Sequence, residues 1–205
     1  MTTRFQELAT QGKPIVPVIA LPTLECALPL ADTLSSCGFK VLEITLRTDC
    51  ALDAIKLLVE SRPELVIGAG TVKNRQQLEQ TLDAGAQFIV SPGTDAAMIQ
   101  QAQERNVAVV PGVMTPSEIM VAENLGLDTV KLFPAALAGG TDFIRAMAAV
   151  FPAIKFFPTG GVTEDDVNAY LALPNVICAG GTWLSPAGLL ERGDWNRIHE
   201  IAQRC

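Results

Sequence analysis

A lysine interrupts an apolar run in the segment Thr129-Val130-Lys131-Leu132-Phe133-Pro134-Ala135 (TVKLFPA). Burying an ammonium is costly even after the protein relaxes around it. Lys131 is therefore paired, turned outward, or held inside because burial is useful. A second run, KVLEITLR (40–47), does the same with an acid. As a strand it puts Leu42, Ile44 and Leu46 on one face and Glu43, Thr45 and Arg47 on the other. Burial favours the neutral form of an amine, which is a nucleophile toward carbonyl carbon and can form a Schiff base. The protonated imine draws electrons from the adjacent carbon, so a C–C bond can break or form through an enamine without a metal. Such chemistry needs a proton carrier, and Glu43 is the candidate. A substrate carboxylate is gripped at two points by a guanidinium, which suits Arg47. Thr71, closing GAGT (68–71), adds a hydroxyl.

Two glycine pairs complete the set: Thr159-Gly160-Gly161 and Gly180-Gly181-Thr182. Glycine lets backbone N–H groups come close to an anion, and a helix N-terminus adds its positive end; Thr163 is placed to cap the helix after the first pair. Together these residues suit a lysine-dependent aldolase acting on a phosphorylated 2-oxo acid. Alternation alone leaves a plainer reading open. In it Lys131 and Glu43 are a structural ion pair, Arg47 a rim salt bridge, and the glycines ordinary turns.

These residues need a frame. Short runs rich in Val, Ile and Phe recur at 14–20, 40–46, 64–70, 87–93, 107–113, 129–135, 154–161 and 175–181, each ending in Gly, Pro or Thr, and read as strands. Helical patterns lie between them. One ends at Gly38, one stops before Pro63, and one runs from a cap at Asn74 to Gly85. Another is capped by Thr94 or Asp95, and one carries a Thr115–Glu118 capping box and ends at Gly126. Two more follow, in DFIRAMAAVF and TEDDVNAYLAL. Alternating β and α units with buried strands imply a parallel sheet, and eight units imply closure as a (β/α)8 TIM barrel. The expectation is an α/β single domain over residues 1–205, with a short N-terminal helix ending at Gly12. A doubly wound open sheet is the alternative, and a G-x-G-x-x-G after the first strand is missing. In a barrel the apolar strand faces point outward to the helices. Glu43, Thr45, Lys131 and Phe133 then point inward near the C-terminal mouth, with Arg47 at the rim. The loops after strands seven and eight are where barrels commonly hold phosphate.

The remaining composition narrows the chemistry. The chain has 205 residues, 49% hydrophobic, with a net charge of -7 and no basic stripe, which argues against nucleic acid. Apolar stretches of about ten residues fall short of the ~20 a membrane span needs. No h-region precedes residue 14, so a cytoplasmic location is expected. Five cysteines, at 26, 37, 50, 178 and 205, form no C-x-x-C and read as free thiols or small buried hydrophobes. His199, the single histidine, sits in a polar C-terminal helix and reads as a solvated residue. Triad chemistry would have to rest on it, and no metal-ligand spacing is present, so neither a metal nor a cofactor is expected.

The strings EITLRT (43–48), GAGTV (68–72), SPG (91–93), KLFPA (131–135), PTGGV (158–162) and GGTWL (180–184) resemble the 2-keto-3-deoxy-6-phosphogluconate (KDPG) aldolase / 4-hydroxy-2-oxoglutarate aldolase family, in order and along essentially the whole chain. The resemblance implies a Schiff-base aldolase on a (β/α)8 barrel, typically a homotrimer, splitting KDPG into pyruvate and glyceraldehyde 3-phosphate. Many members also split 4-hydroxy-2-oxoglutarate into pyruvate and glyoxylate. By motif, Lys131 would be the Schiff-base lysine and Glu43 the proton shuttle. Arg47 and Thr71 would hold the pyruvate carboxylate, and Pro92 and Phe133 would pack on the pyruvyl part. Thr159 would meet the substrate's hydroxyl region, and Gly160, Gly161, Gly180, Gly181 and Thr182 would form the phosphate end. Thr182 stands where many members have serine, which keeps the hydroxyl. The branch acting on the galactonate epimer usually has Arg-Gly after the first strand and an apolar residue at the position of Thr159. Leu21-Pro22 and Thr159 here favour the gluconate branch. The alternatives are that epimer's aldolase, a phosphosugar isomerase or epimerase on the same scaffold, a metal-dependent pyruvate aldolase, and a non-catalytic phosphometabolite sensor.

Overall fold

Strand β1 (Ile15–Ile19) pairs in parallel with β2 (Val41–Thr45), β2 with β3 (Val66–Gly70), and on through β4 (Phe88–Val90) to β5 (Ala108–Val110). The structure, a computed structural model, describes residues 5–205. A two-residue strand, β6 (Gly112–Val113), pairs with β7 (Thr129–Leu132), and β7 with β8 (Lys155–Phe156). The last strand, β9 (Ala179–Gly181), returns to β1. Bridges Phe156↔Val176 and Thr159↔Gly180 join β8 to the β9 segment and close the ring. The run expected as one fifth strand is divided at Pro111, which has no N–H to give the ladder. Its first half serves β4; the Pro111 carbonyl then accepts from Lys131 N at 2.8 Å as the second half serves β7. Counted as one bent strand, β5 and β6 make this a closed, eight-position parallel barrel.

The connecting helices form where apolar residues fall at helical spacing. In α3 (Ala51–Ser61), which follows α1 (Phe5–Ala9) and α2 (Ala27–Ser36), the buried positions are Ala51, Ala54, Ile55 and Leu58. That is an i, i+3, i+4, i+7 stripe against the strands. Asn74 caps α4 (Arg75–Asp83), its side chain accepting from Gln77 N at 2.9 Å. Asp95, rather than Thr94, caps α5 (Ala96–Glu104); the Thr94 hydroxyl donates to Gly112 O at 2.8 Å instead. The capping box Thr115–Glu118 opens α6 (Pro116–Asn124) as expected. Helices α7 (Gly140–Val150), α8 (Val167–Leu171), α9 (Ala187–Arg192) and α10 (Trp195–Arg204) complete the outer layer.

One expectation fails in this layer. Thr163 does not cap α8, whose N-cap is Asp166. The Asp166 carboxylate accepts from Thr163 N at 2.7 Å, so residues 163–166 close on themselves as a turn before the helix begins.

Two cores result. The larger lies between strands and helices and holds Leu42, Ile44, Ile67, Ile89, Val130, Leu132 and their helical partners. The smaller fills the barrel's lower interior with Val16, Val41, Val66, Phe88, Ala108, Phe157 and Cys178, and α1 plugs it from below with Phe5, Leu8 and Ala9. The Phe5 ring lies 5.2 Å from Phe88 and 5.5 Å from Phe157 between centroids. The part of the expected N-terminal helix before Phe5 lies outside the described residues. Among the described residues no helix is long and apolar enough to cross a membrane.

Candidate active site

Above the apolar plug, the inward face of β2 turns acidic and that of β7 turns basic. Lys131 Nζ donates to Glu43 Oε1 at 3.2 Å. Side-chain exposure is 4% for Lys131 and 0% for Glu43. The Lys131 ammonium also lies over two aromatic faces, 5.4 Å from the Phe133 centroid and 5.7 Å from that of Phe157. The other carboxylate oxygen, Glu43 Oε2, is buried and has no hydrogen-bond partner among the described residues. A buried ion pair adds little to stability unless its remaining lone pairs are satisfied, and a packed apolar pair of equal volume often does better. A buried carboxylate oxygen left unpaired beside an amine is costly as scaffolding and calls for an explanation.

Room for that carboxylate comes from β3. A Cβ on Gly70 would stand 2.1 Å from Glu43 Oε1 and 2.7 Å from its Cδ. Glu43 and Gly68 face each other in the β2–β3 register, with Gly70 one inward position beyond. Thr45, next inward on β2, ties the strand to its neighbour by donating to Ile19 O at 2.8 Å.

At the rim, exposed Arg47 donates through Nε to Thr71 Oγ1 at 3.2 Å. Thr71 has φ +59, a left-handed backbone that non-glycine residues rarely adopt outside tight turns and functional sites. That turn at the end of β3 presents the hydroxyl to Arg47, and the two form one polar edge of the mouth. Pro92 is exposed on the adjoining β4 loop, and Phe133 is half-buried after β7.

The opposite side of the mouth is built by β8 and β9. Thr159 Oγ1 is buried without a partner among the described residues, and a Cβ on facing Gly180 would come within 2.3 Å of it. Gly160 and Gly161 turn with φ +90 and +80. The Thr159 and Gly160 carbonyls accept from Ala135 and Ala136 at 2.8 and 3.1 Å, which turns this loop's acceptors toward the β7 loop. Gly181 is buried and Thr182 exposed beside them. The helix N-termini expected to assist lie elsewhere: α8 begins at Val167, well past Gly161, and both α8 and α9 are short. The polar groups this side offers are those of its loop backbone and the exposed Thr182 hydroxyl.

The candidate site residues thus lie within the strands or in the loops that follow their C-terminal ends. Four residues outside the expected set lie beside it. Phe157 follows from alternation in IKFFPTGG, where it shares a face with Thr159. Gly70 follows from the same alternation in VIGAG. Cys178, inside the barrel, shares the face of Gly180; burial, and then the charge of Glu43, push its thiol well above the ordinary range. Trp183 packs its ring against Gly181, where a Cβ would approach it to 2.6 Å. All five cysteines are free, and half-buried His199 lies on α10. Among the described residues no three His, Cys, Asp or Glu side chains cluster as metal ligands.

Comparison with known proteins gives a consistent result. A family model described as KDPG and KHG aldolase matches residues 7–201. The KHG/KDPG aldolase of Escherichia coli K12 is 44% identical over 203 residues, 99% of this chain and 95% of that protein. A KDPG aldolase from Legionella pneumophila, solved with pyruvate captured at low pH as a covalent carbinolamine intermediate, superposes with a TM-score of 0.95 at 39% identity, covering 99% of this chain and 98% of the other. The enzyme of Zymomonas mobilis ZM4, solved with 3-phosphoglycerate, superposes with a TM-score of 0.93 at 38% identity, covering 100% and 95%.

Proposed function

Because the chain belongs to the KDPG and KHG aldolase family, we propose that the buried Lys131–Glu43 pair is its working centre. The enzyme is a class I aldolase, a carbon-carbon lyase. It cleaves the phosphorylated sugar acid 2-keto-3-deoxy-6-phosphogluconate to pyruvate and the triose glyceraldehyde 3-phosphate. The observation that carries the site assignment is the contact of Lys131 Nζ with Glu43 Oε1 at 3.2 Å inside the barrel, where both side chains are buried.

With the pair's proton on Glu43, neutral Lys131 Nζ attacks the substrate's keto carbon, its electron pair forming the C–N bond as the C=O π pair moves to oxygen; Glu43 gives that oxygen its proton and takes one back from the nitrogen. Loss of water from the carbinolamine leaves an iminium, with Glu43 supplying the proton for the departing hydroxyl. Glu43 then accepts the proton of the C4 hydroxyl. The C3–C4 bond breaks, its electrons flow into the iminium to give an enamine, and the aldehyde leaves. Glu43 returns the proton to C3, and water releases pyruvate. Arg47 and Thr71 hold the carboxylate end, Phe133 and Pro92 flank the pyruvyl carbons, and Thr159 Oγ1 meets the C4 hydroxyl. The amides of Gly160, Gly161, Gly180 and Gly181, with Thr182, take the phosphate.

The pyruvyl half is shared with 4-hydroxy-2-oxoglutarate, so the same residues split that acid to pyruvate and glyoxylate. Leu21-Pro22 and the polar Thr159 favour the gluconate over the galactonate epimer. The working form in this reading is a cytoplasmic homotrimer. Exposed Met114, Met120, Val121 and Leu137 around β6, α6 and the β7 loop support an apolar subunit contact. The test is pyruvate release from KDPG, followed with a lactate dehydrogenase couple. Wild type turns over and Lys131→Ala does not; turnover by a folded Lys131→Ala protein removes the lysine from the mechanism.

A further inference from the structure

The phosphate end of the mouth is made of two loops that touch each other through the Thr159↔Gly180 bridge. Both are also gripped from outside, by consecutive residues at the end of α10. Arg204 reaches the loop after β8: its Nε and Nη2 donate to Glu164 Oε1 and Oε2 at 2.7 and 3.1 Å, a two-pronged pair. Glu164 stands three residues beyond Gly161. The pair holds the Glu164 carboxyl below and the Arg204 guanidinium above their ordinary ranges. Cys205 reaches the loop after β9: its Sγ accepts from Trp183 Nε1 at 3.4 Å and donates to Ile201 O at 3.7 Å. The Trp183 ring in turn backs the Gly181 main chain.

The helix that delivers these residues is itself fixed. Ile198 and Ala202 are buried, Cys37 Sγ donates to His199 O at 3.8 Å, and Lys13 Nζ donates to Ala202 O at 3.4 Å. A rigid helix therefore ends in a clasp whose two arms fall on the two glycine loops, one on each.

We propose that Arg204 and Cys205 are positioning residues for the substrate's phosphate: they set the spacing of the Gly160-Gly161 and Gly180-Gly181-Thr182 loops without touching substrate. This rests on the reading above that those loops hold phosphate. Preorganised donors bind better because the ordering cost is met before the ligand arrives. The clasp therefore acts on KM for phosphorylated substrate and leaves the pyruvyl chemistry alone.

The discriminating variant is Glu164→Gln. If Glu164 were only a negative charge near an anion site, its removal would tighten phosphate binding. As half of a clasp, its removal loosens the loop and weakens binding. The measurement is kcat and KM for KDPG and, in parallel, for unphosphorylated 4-hydroxy-2-oxoglutarate, with competitive inhibition by inorganic phosphate as a direct probe. The expected result for Glu164→Gln, Arg204→Gln and Cys205→Ala is a KM for KDPG raised about threefold, the size of effect an exposed pair supports. The inhibition constant for phosphate rises in step, while kcat and the constants for the unphosphorylated acid are unchanged. The Glu164→Gln/Arg204→Gln double variant is expected to be no worse than either single one, since the two act as a unit. A fall in KM for KDPG with Glu164→Gln overturns the proposal, as do equal changes on both substrates or no change on either. Wild-type enzyme blind to phosphate, with equal KM for both acids, would instead overturn the assignment of the phosphate loops.

Discussion

Gly70→Ala should cripple the enzyme without touching a reacting group. The added Cβ would stand 2.1 Å from Glu43 Oε1, where ordinary contact begins at 3.4 Å, so the carboxylate must retreat by about 1.3 Å. The partner at 3.2 Å, Lys131 Nζ, lies on the oxygen that has to move. Backbone cannot easily yield instead, because β3 is paired along its length with β2. Overpacking of this kind costs about 1–3 kcal/mol, which in a chain of this size lowers Tm by about 2–12 °C. A displacement of about 1 Å at a catalytic group costs about 10²-fold in rate. The assay is kcat on KDPG beside a thermal melt, with Gly68→Ala as the control. A Cβ on Gly68 would meet the Phe88 ring at 2.2 Å, one layer down. Both variants should melt earlier, but only Gly70→Ala should lose about 10²-fold in kcat. Equal kcat losses in the two, or kcat within threefold of wild type for Gly70→Ala, would refute the claim that the placement of Glu43 limits the reaction.

Glu43→Gln keeps the shape of the pair and removes the proton acceptor; kcat on KDPG should fall by about 10²–10⁴-fold while KM changes little, read by steady-state kinetics. Asp32 is paired through both oxygens with Arg62, at 2.6 and 2.8 Å, and this hydrogen bonding holds its carboxyl below the ordinary range. A carboxyl depressed in the folded state stabilises above its unfolded pKa and loses that contribution as pH falls through the folded value. Asp32→Asn should therefore melt slightly below wild type at pH 7, with the gap closing as the pH is lowered below about 4. A gap that widens in acid would contradict the sign.

The barrel was legible because its strands alternate and its helices carry end signals. KVLEITLR and TVKLFPA each put one chemical face inward, and the outward faces match the helical stripes. The Asn74 cap and the Thr115–Glu118 box fall where they were read, because a cap is a local contact between residues three apart. Thr163 was misread for the same local reason: Asp166 supplies a competing side-chain acceptor for its amide. What sequence could not give was the fit between strands. That Gly70 makes room for Glu43, or Gly180 for Thr159, depends on register across the sheet. Pro111 splitting a strand between two neighbours also depends on which edge each half meets. The clasp at Arg204 and Cys205 is more remote still, since Glu164 lies 40 residues away in the chain.

In the proposed mechanism Lys131 is buried so that it can act as a neutral nucleophile. The direct measurement is mass spectrometry with peptide mapping after incubation with pyruvate and borohydride. A Schiff base at Lys131 leaves a reduced pyruvyl adduct on the peptide that contains it, absent in Lys131→Ala. Folded wild-type protein that gains no mass at saturating pyruvate would make Lys131 a structural partner of Glu43, and the enamine mechanism would fall.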